Sequence, residues 1–156
     1  MAPGFLIDRV KSEDLDEALC LVKKVFLEYE APDYSEEGVE EFMKFIEYDS
    51  IKEKLEQEQF FMWTCIAEGK VIGVLATRPP CHISLLFVER KYQRIGIART
   101  MLYEALYFYK THYNFKEITV NSSPYAIPIY HKWGFTDTDV EQTINGIRFV
   151  PMRRKL

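Results

Sequence analysis

The sequence predicts an α/β domain, a mixed central β-sheet flanked by helices, and three observations point there. Segments of helical period alternate with segments rich in β-branched and aromatic residues. A nearly continuous apolar run, Cys81 to Val88, reads as a central strand and is followed at once by a loop and a helix. Near the end, Asn145-Gly146 lies between two short β-like runs, which is a strong hairpin signal.

Taken in order, Phe5 to Val10 alternates weakly and reads as a first strand. Ser12 is placed to cap a helix with acids in its first turn. Leu15, Ala18, Leu19, Val22, Val25 and Phe26 recur at helical spacing, so that helix runs to about Glu30, where Pro32 closes it. Ser35 to about Gln57 reads as one or two further helices, with Val39, Phe42, Met43 and Ile46 on one face. Phe60 to Ala67 and Val71 to Thr77 form a hairpin around Glu68-Gly69-Lys70, and Pro79-Pro80 breaks the chain before the Cys81 to Val88 strand. Ala98 to His112 is helical, with Met101, Leu102, Ala105, Leu106 and Tyr109 as its apolar stripe. Glu117 to Asn121 is a strand, Pro124 to Trp133 a helix, and Gly134 its stop. The tail forms two strands about Asn145-Gly146. No repeat or linker interrupts the chain, which reads as a single domain over residues 1–156.

Composition bounds the function. With 156 residues, 47% hydrophobic and 28% charged, the chain is long enough for a real core and too apolar for disorder. No run approaches the ~20 apolar residues of a membrane span, and no export signal opens the sequence. Cys20, Cys65 and Cys81 are odd in number and sit in apolar contexts, so they read as buried free thiols in a reducing cytoplasm. The net charge of −4 conceals a division: Ser12 to Glu58 holds 16 acids and 5 bases, Glu89 to Leu156 holds 6 acids and 11 bases. A basic half suits an anionic ligand, although a solvated surface explains charge alone equally well. A sequence pI of about 5.5, with no basic stripe interleaved by aromatics, argues against a nucleic-acid partner. No metal is expected, since Cys and His show no ligand spacing.

The informative stretch is Phe87 to Leu106. A buried strand ends at Val88, a short loop follows, and Gln93-Arg94-Ile95-Gly96-Ile97-Ala98 opens a helix. Gly96 lacks a side chain where the backbone turns or a ligand comes close. Free amides at a helix start attract anions, and Arg90, Lys91, Arg94 and Arg99 surround this one. A diphosphate fits such a cradle; so does an ordinary strand-to-helix turn. Neither the G-x-x-x-x-G-K-[ST] loop nor a full G-x-G-x-x-G is present.

Gln93 to Ala98 resembles the Q/R-x-x-G-x-G/A signature of the GNAT superfamily of N-acetyltransferases, between the fourth strand and third helix of that fold. A second segment agrees: Val120 to Ala126, then Ile129-Tyr130-His131-Lys132-Trp133-Gly134-Phe135, resembles the family's strand followed by A-x-x-x-Y-x-K-x-G-F. The resemblance implies a GNAT fold with acetyl-CoA as cosubstrate. It implies that amides of Arg94, Ile95, Gly96, Ile97, Ala98 and Arg99 hold the CoA diphosphate, and that the pantetheine arm runs beside Leu86, Phe87 and Val88. An amide there also polarises a thioester carbonyl. Where the family often has Asn this chain has Ser123, so Asn121, Ser122 or Ser123 is expected to touch the cofactor.

The same resemblance assigns Tyr130, otherwise a packed helical tyrosine, as the acid that protonates the departing thiolate. A glutamate that serves some members as base lies eleven residues before the motif; here that position is His82, whose ordinary pKa of about 6.5 suits the task. Ser84, His112 or a water relay are the alternatives. The acceptor expected is a small-molecule or peptide amine, cationic because the acidic Ser12 to Glu58 region would wall its side. A homodimer is compatible with this reading. The rival reading is a catalytically silent acyl-CoA-binding module acting through partner contacts.

Overall fold

The computed structural model describes residues 4–156. Strand β1 (Phe5–Arg9) leads through a short 3-10 turn into α1 (Leu15–Tyr29), followed by α2 (Glu36–Phe45) and α3 (Tyr48–Glu56). Strands β2 (Phe61–Ala67), β3 (Lys70–Arg78) and β4 (His82–Val88) form an antiparallel meander extending from β1. Then come α4 (Ile97–His112), β5 (Glu117–Ser122), α5 (Ile127–Lys132), β6 (Thr136–Asp137), β7 (Gln142–Ile144) and β8 (Ile147–Lys155). The sheet order is β1-β2-β3-β4-β5-β8-β6, with β7 hairpinned onto β8; only the β4–β5 neighbours run parallel.

Strand alternation divides the core into two layers. Met62, Val74, Ala76, Leu85 and Phe87 point to the face covered by α1, where they meet Leu15, Val22 and Phe26. Phe61, Trp63, Leu75 and Ile83 point to the other face and meet Ile97, Met101, Leu102, Ala105 and Tyr109 of α4. Each buried Val, Leu, Ile, Met or Phe side chain among them stabilises the fold by about 1.5–3 kcal/mol. In this layer Thr77 Oγ1 on the sheet lies 2.7 Å from the Tyr109 hydroxyl on α4.

Several local expectations change. Ser12 makes no capping bond; Ser12–Asp14 is a 3-10 turn and the α-helix begins at Leu15. Of the one or two helices expected between Ser35 and Gln57, two form, with Ser35 Oγ accepting the Gly38 N–H at 3.2 Å. Pro124–Ala126 is a 3-10 turn, because Ser123 caps it and the α-helix starts only at Ile127. Cys65 and Cys81 are buried, but Cys20 is exposed: it falls outside the α1 stripe that faces the sheet. Strand β4 sends Ile83 into one core layer and Leu85 and Phe87 into the other, while His82, Ser84 and Leu86 are only half-buried and border a cavity.

The tip of the β7–β8 hairpin lies against the start of α2. Ser35 N–H donates to the Gly146 carbonyl, and a Cβ at Gly38 would collide with that same carbonyl. Arg148 on β8 adds ion pairs to Glu141 at 3.2 Å and Asp33 at 3.6 Å.

Candidate active site

Strands β4 and β5 are paired only at His82↔Thr119 and Ile83↔Val120, and beyond that they part. A bulge assists the parting. Thr77 pairs with Ile83 and Ala76 with Leu85, leaving Ser84 as an extra residue on β4. Before the bulge, the Cys81 carbonyl accepts the Thr119 N–H across the parallel pair. After it, the Glu89 N–H reaches back to Ile72 on β3. Alternation then turns the backbone groups of Leu86 and Val88 toward the gap, with no strand to pair them.

At the end of β4, Gln93 Nε2 donates to the Val88 carbonyl at 2.9 Å and ties the following loop to the strand. Arg94 and Gly96 both have left-handed backbone, at φ 66° and 94°. That pair of turns aims the start of α4 outward, with Gly96 at its N-cap, no side-chain cap and no acid in the first turn. Thr100 N–H bonds to Gly96, which leaves the amides of Ile97, Ala98 and Arg99 without an intrahelical acceptor. Open space surrounds the position of a Gly96 Cβ. Arg94 and Arg99 are exposed, Ile95 is 58% exposed, and the nearby acid Glu89 is engaged by Lys24 at 3.3 Å. The loop therefore presents amides and positive charge together, and suits an anion.

The gap opens into a cavity of about 500 Å³. Its walls bring together His82, Leu86, Phe87, Asn121, Ser123 and Tyr130. Val88 and the Arg94–Arg99 loop lie outside the cavity, at the end of β4 beyond the gap. His112 is also elsewhere, exposed at the end of α4 and bonded to the Phe108 carbonyl.

Tyr130 is 5% exposed, its ring set edge-on against Trp133 and Phe135. Burial, and to a lesser degree the Glu30 carboxylate, push its phenol well above the ordinary tyrosine range, so it keeps its proton at neutral pH. His82 Nδ1 lies 2.8 Å from Thr119 Oγ1. Burial and the Arg78 guanidinium push its pKa down to about 4. It is thus neutral near pH 7 but a weak proton acceptor, unlike the near-neutral base its spacing suggested.

Glu30 was missed in the sequence. It stands at the C-cap of α1 and lines the same cavity as Tyr130. Burial raises its pKa to about 7, opposed by the adjacent Ser123 hydroxyl and reinforced by Asp33. A signal was present: Val22, Phe26 and Glu30 follow at i, i+4, i+8, so the carboxyl continues a stripe whose other members are buried. Of the 16 acids in the Ser12 to Glu58 segment, Glu30 alone lines the cavity, so the acidic wall expected there is a single carboxylate. Among the described residues no group of three or more His, Cys, Asp or Glu side chains is arranged to hold a metal, and no helix is long and apolar enough to cross a membrane.

Residues 30–156 match the family model for the acetyltransferase (GNAT) domain. A comparison with curated protein sequences returned no match. Among solved structures, a GCN5-related N-acetyltransferase from Rhodopseudomonas palustris superposes with a TM-score of 0.83 at 19% identity, over 100% of this chain and 98% of that one. The PaiA N-acetyltransferase from Thermoplasma acidophilum, solved with coenzyme A, gives 0.81 at 19% identity, covering 100% of both chains. Spermidine N-acetyltransferase from Vibrio cholerae, solved with CoA and spermine, gives 0.67 at 16% identity, over 99% of this chain and 96% of that one.

Proposed function

The chain belongs to the GNAT acetyltransferases, and from that premise we propose that it transfers the acetyl group of acetyl-CoA to a primary amine by direct attack in a ternary complex. One observation carries the reading: the parted strands β4 and β5 border a cavity lined by a half-buried carboxylate, Glu30, and a buried phenol, Tyr130. Two neighbours of the same fold were solved with CoA, and the loop here fits its diphosphate: Arg94 to Arg99 supply amides and positive charge. When bound, the thioester supplies an activated acetyl group.

The protein's own groups divide the remaining work. Glu30 accepts the proton that an arriving ammonium must lose before its nitrogen attacks. The unpaired Leu86 N–H donates to the carbonyl oxygen as it gains negative charge. Tyr130 gives its proton to sulfur as the C–S bond breaks and regains the second proton that the newly acylated nitrogen sheds, so the thiol leaves neutral and the phenol is restored. His82, bonded to Thr119, serves as a neutral wall of the acceptor side. Asn121 and Ser123 border the pantetheine path. Two buried thiols and the use of acetyl-CoA suit a cytoplasmic setting.

The test is release of free thiol from acetyl-CoA across an amine panel, with the acetylated product confirmed by mass. Amine-dependent release is expected. A protein that binds CoA by calorimetry and releases no thiol with any amine would be a silent binding module instead.

A further inference from the structure

Besides Glu30, the formally charged side chains lining the cavity are Lys54 and Arg78. Neither forms an ion pair among the described residues. Lys54 Nζ lies 4.5 Å from the centre of the Phe45 ring and 5.4 Å from that of Phe60, both of which also line the cavity. Those rings hold the ammonium at the wall by cation–π attraction without neutralising it. Arg78 is paired with His82 across β3 and β4, and His82 is beside Thr119 on β5. Ser123, next to Glu30, comes four residues after Thr119, roughly 13 Å further along at about 3.3 Å per residue.

Phe60 adjoins Phe61, which pairs with Thr77 beside Arg78, so the cavity is bipolar, with a carboxylate toward one end and two unpaired cations toward the other. The cationic end is not the diphosphate cradle. That cradle follows Val88, six residues and about 20 Å along β4 from His82. We infer that Lys54 and Arg78 form a subsite for a carboxylate on the acceptor, so that the acceptor class is an amine bearing a carboxylate several bonds from its nitrogen. This rests on the acetyltransferase reading above. It narrows the purely cationic acceptor that the sequence suggested. A diamine would set its second ammonium against two like charges, whereas an amino acid or short peptide meets opposite charge at both ends.

The experiment compares 4-aminobutanoate, 6-aminohexanoate and 8-aminooctanoate with alkylamines and diamines of matching length, in the wild type, Lys54→Gln and Arg78→Gln. Calorimetry of the matching N-acetylated products, as acids and as methyl esters, gives a readout that needs no turnover. For the best length, kcat/KM should favour the aminocarboxylate over the alkylamine by about tenfold, and each variant should reduce that ratio by a similar factor, chiefly through KM. The acid form of the product should lose affinity in Arg78→Gln while the ester does not. Arg78 is exposed, so this variant tests the charge even if Lys54→Gln disturbs the Phe45–Phe60 packing. Preference for diamines, or equal loss in both series, would overturn the subsite while leaving an acetyltransferase. Carboxylate-dependent product binding without thiol release from any amine would support the subsite and sink the acetyltransferase reading. Failure of both measurements sinks both.

Discussion

Consider Glu30→Gln, which keeps the size of the side chain and removes its charge. An unfolded glutamate titrates near 4.5, whereas burial in the cavity raises Glu30 to about 7. Between those values the folded protein holds a proton that the unfolded chain has released. Stability therefore falls as pH rises through that window, and the loss is complete above about 7. At 1.36 kcal/mol per pH unit, the full penalty is on the order of 3 kcal/mol. Glutamine does not ionise, so the variant escapes it. Urea denaturation at pH 5 and pH 8 should show the variant gaining on the wild type by about 2–3 kcal/mol between the two conditions. The same substitution should lower kcat/KM by about 10²–10⁴-fold. In the wild type, activity should rise with pH through about 7, because only the ionised carboxylate accepts a proton; in the variant that limb should vanish. A stability difference that stays constant between pH 5 and pH 8 would refute the raised pKa of Glu30, and an acidic limb surviving in Glu30→Gln would place the base elsewhere.

Other perturbations address the remaining parts. His82→Gln should leave the limb near pH 7 in place, since His82 itself titrates near 4; a limb lost in this variant, by pH–rate measurement, would restore the histidine as base. Tyr130→Phe should lower turnover by about 10²–10⁴-fold with little change in CoA affinity, because the ring packing on Trp133 and Phe135 survives; unchanged kcat, with chemistry rate-limiting, would leave the tyrosine a packing role. Gly96→Glu should abolish calorimetric CoA binding by placing a charge before the free α4 amides, and Gly96→Ala, which has room for its Cβ, separates that effect from backbone strain at φ 94°. Tyr109→Phe should destabilise the fold by about 1–3 kcal/mol in urea titrations, since it leaves the buried Thr77 hydroxyl without its partner.

What the sequence made legible was periodic or punctuated. The α1 and α4 stripes, the β2–β3 hairpin and the Asn145-Gly146 turn each follow from local spacing, and each is present. The loop from Gln93 to Ala98 was legible because its glycine and its basic neighbours are contiguous. The bulge at Ser84 was not, because an extra residue exists only relative to a partner strand, and nothing inside Cys81 to Val88 records the register of β3. Cys20 was misjudged by its apolar neighbours; Leu19 and Leu21 face inward, but one residue of helix turns the side chain by ~100°. The position of His82 was visible, yet its depressed basicity comes from solvation and from Arg78, which reaches it across a strand pair. Glu30 shows the converse: its phase was readable, but its meaning appears only when Ser123 and Tyr130, some 100 residues later, close around it.

The junction between the β7–β8 hairpin and α2 has a consequence in time. Gly38 meets Gly146, and Asp33 meets Arg148, so one wall of the cavity joins segments made more than 100 residues apart. Strand β8 also lies inside the sheet, between β5 and β6. During synthesis, α1, α2 and the β1–β4 meander emerge long before the strand that completes them, with Phe42 and Phe45 awaiting cover. Closing so long a loop is entropically slow, and the nascent chain carries its future cavity wall as a sticky aromatic surface until the last strand arrives.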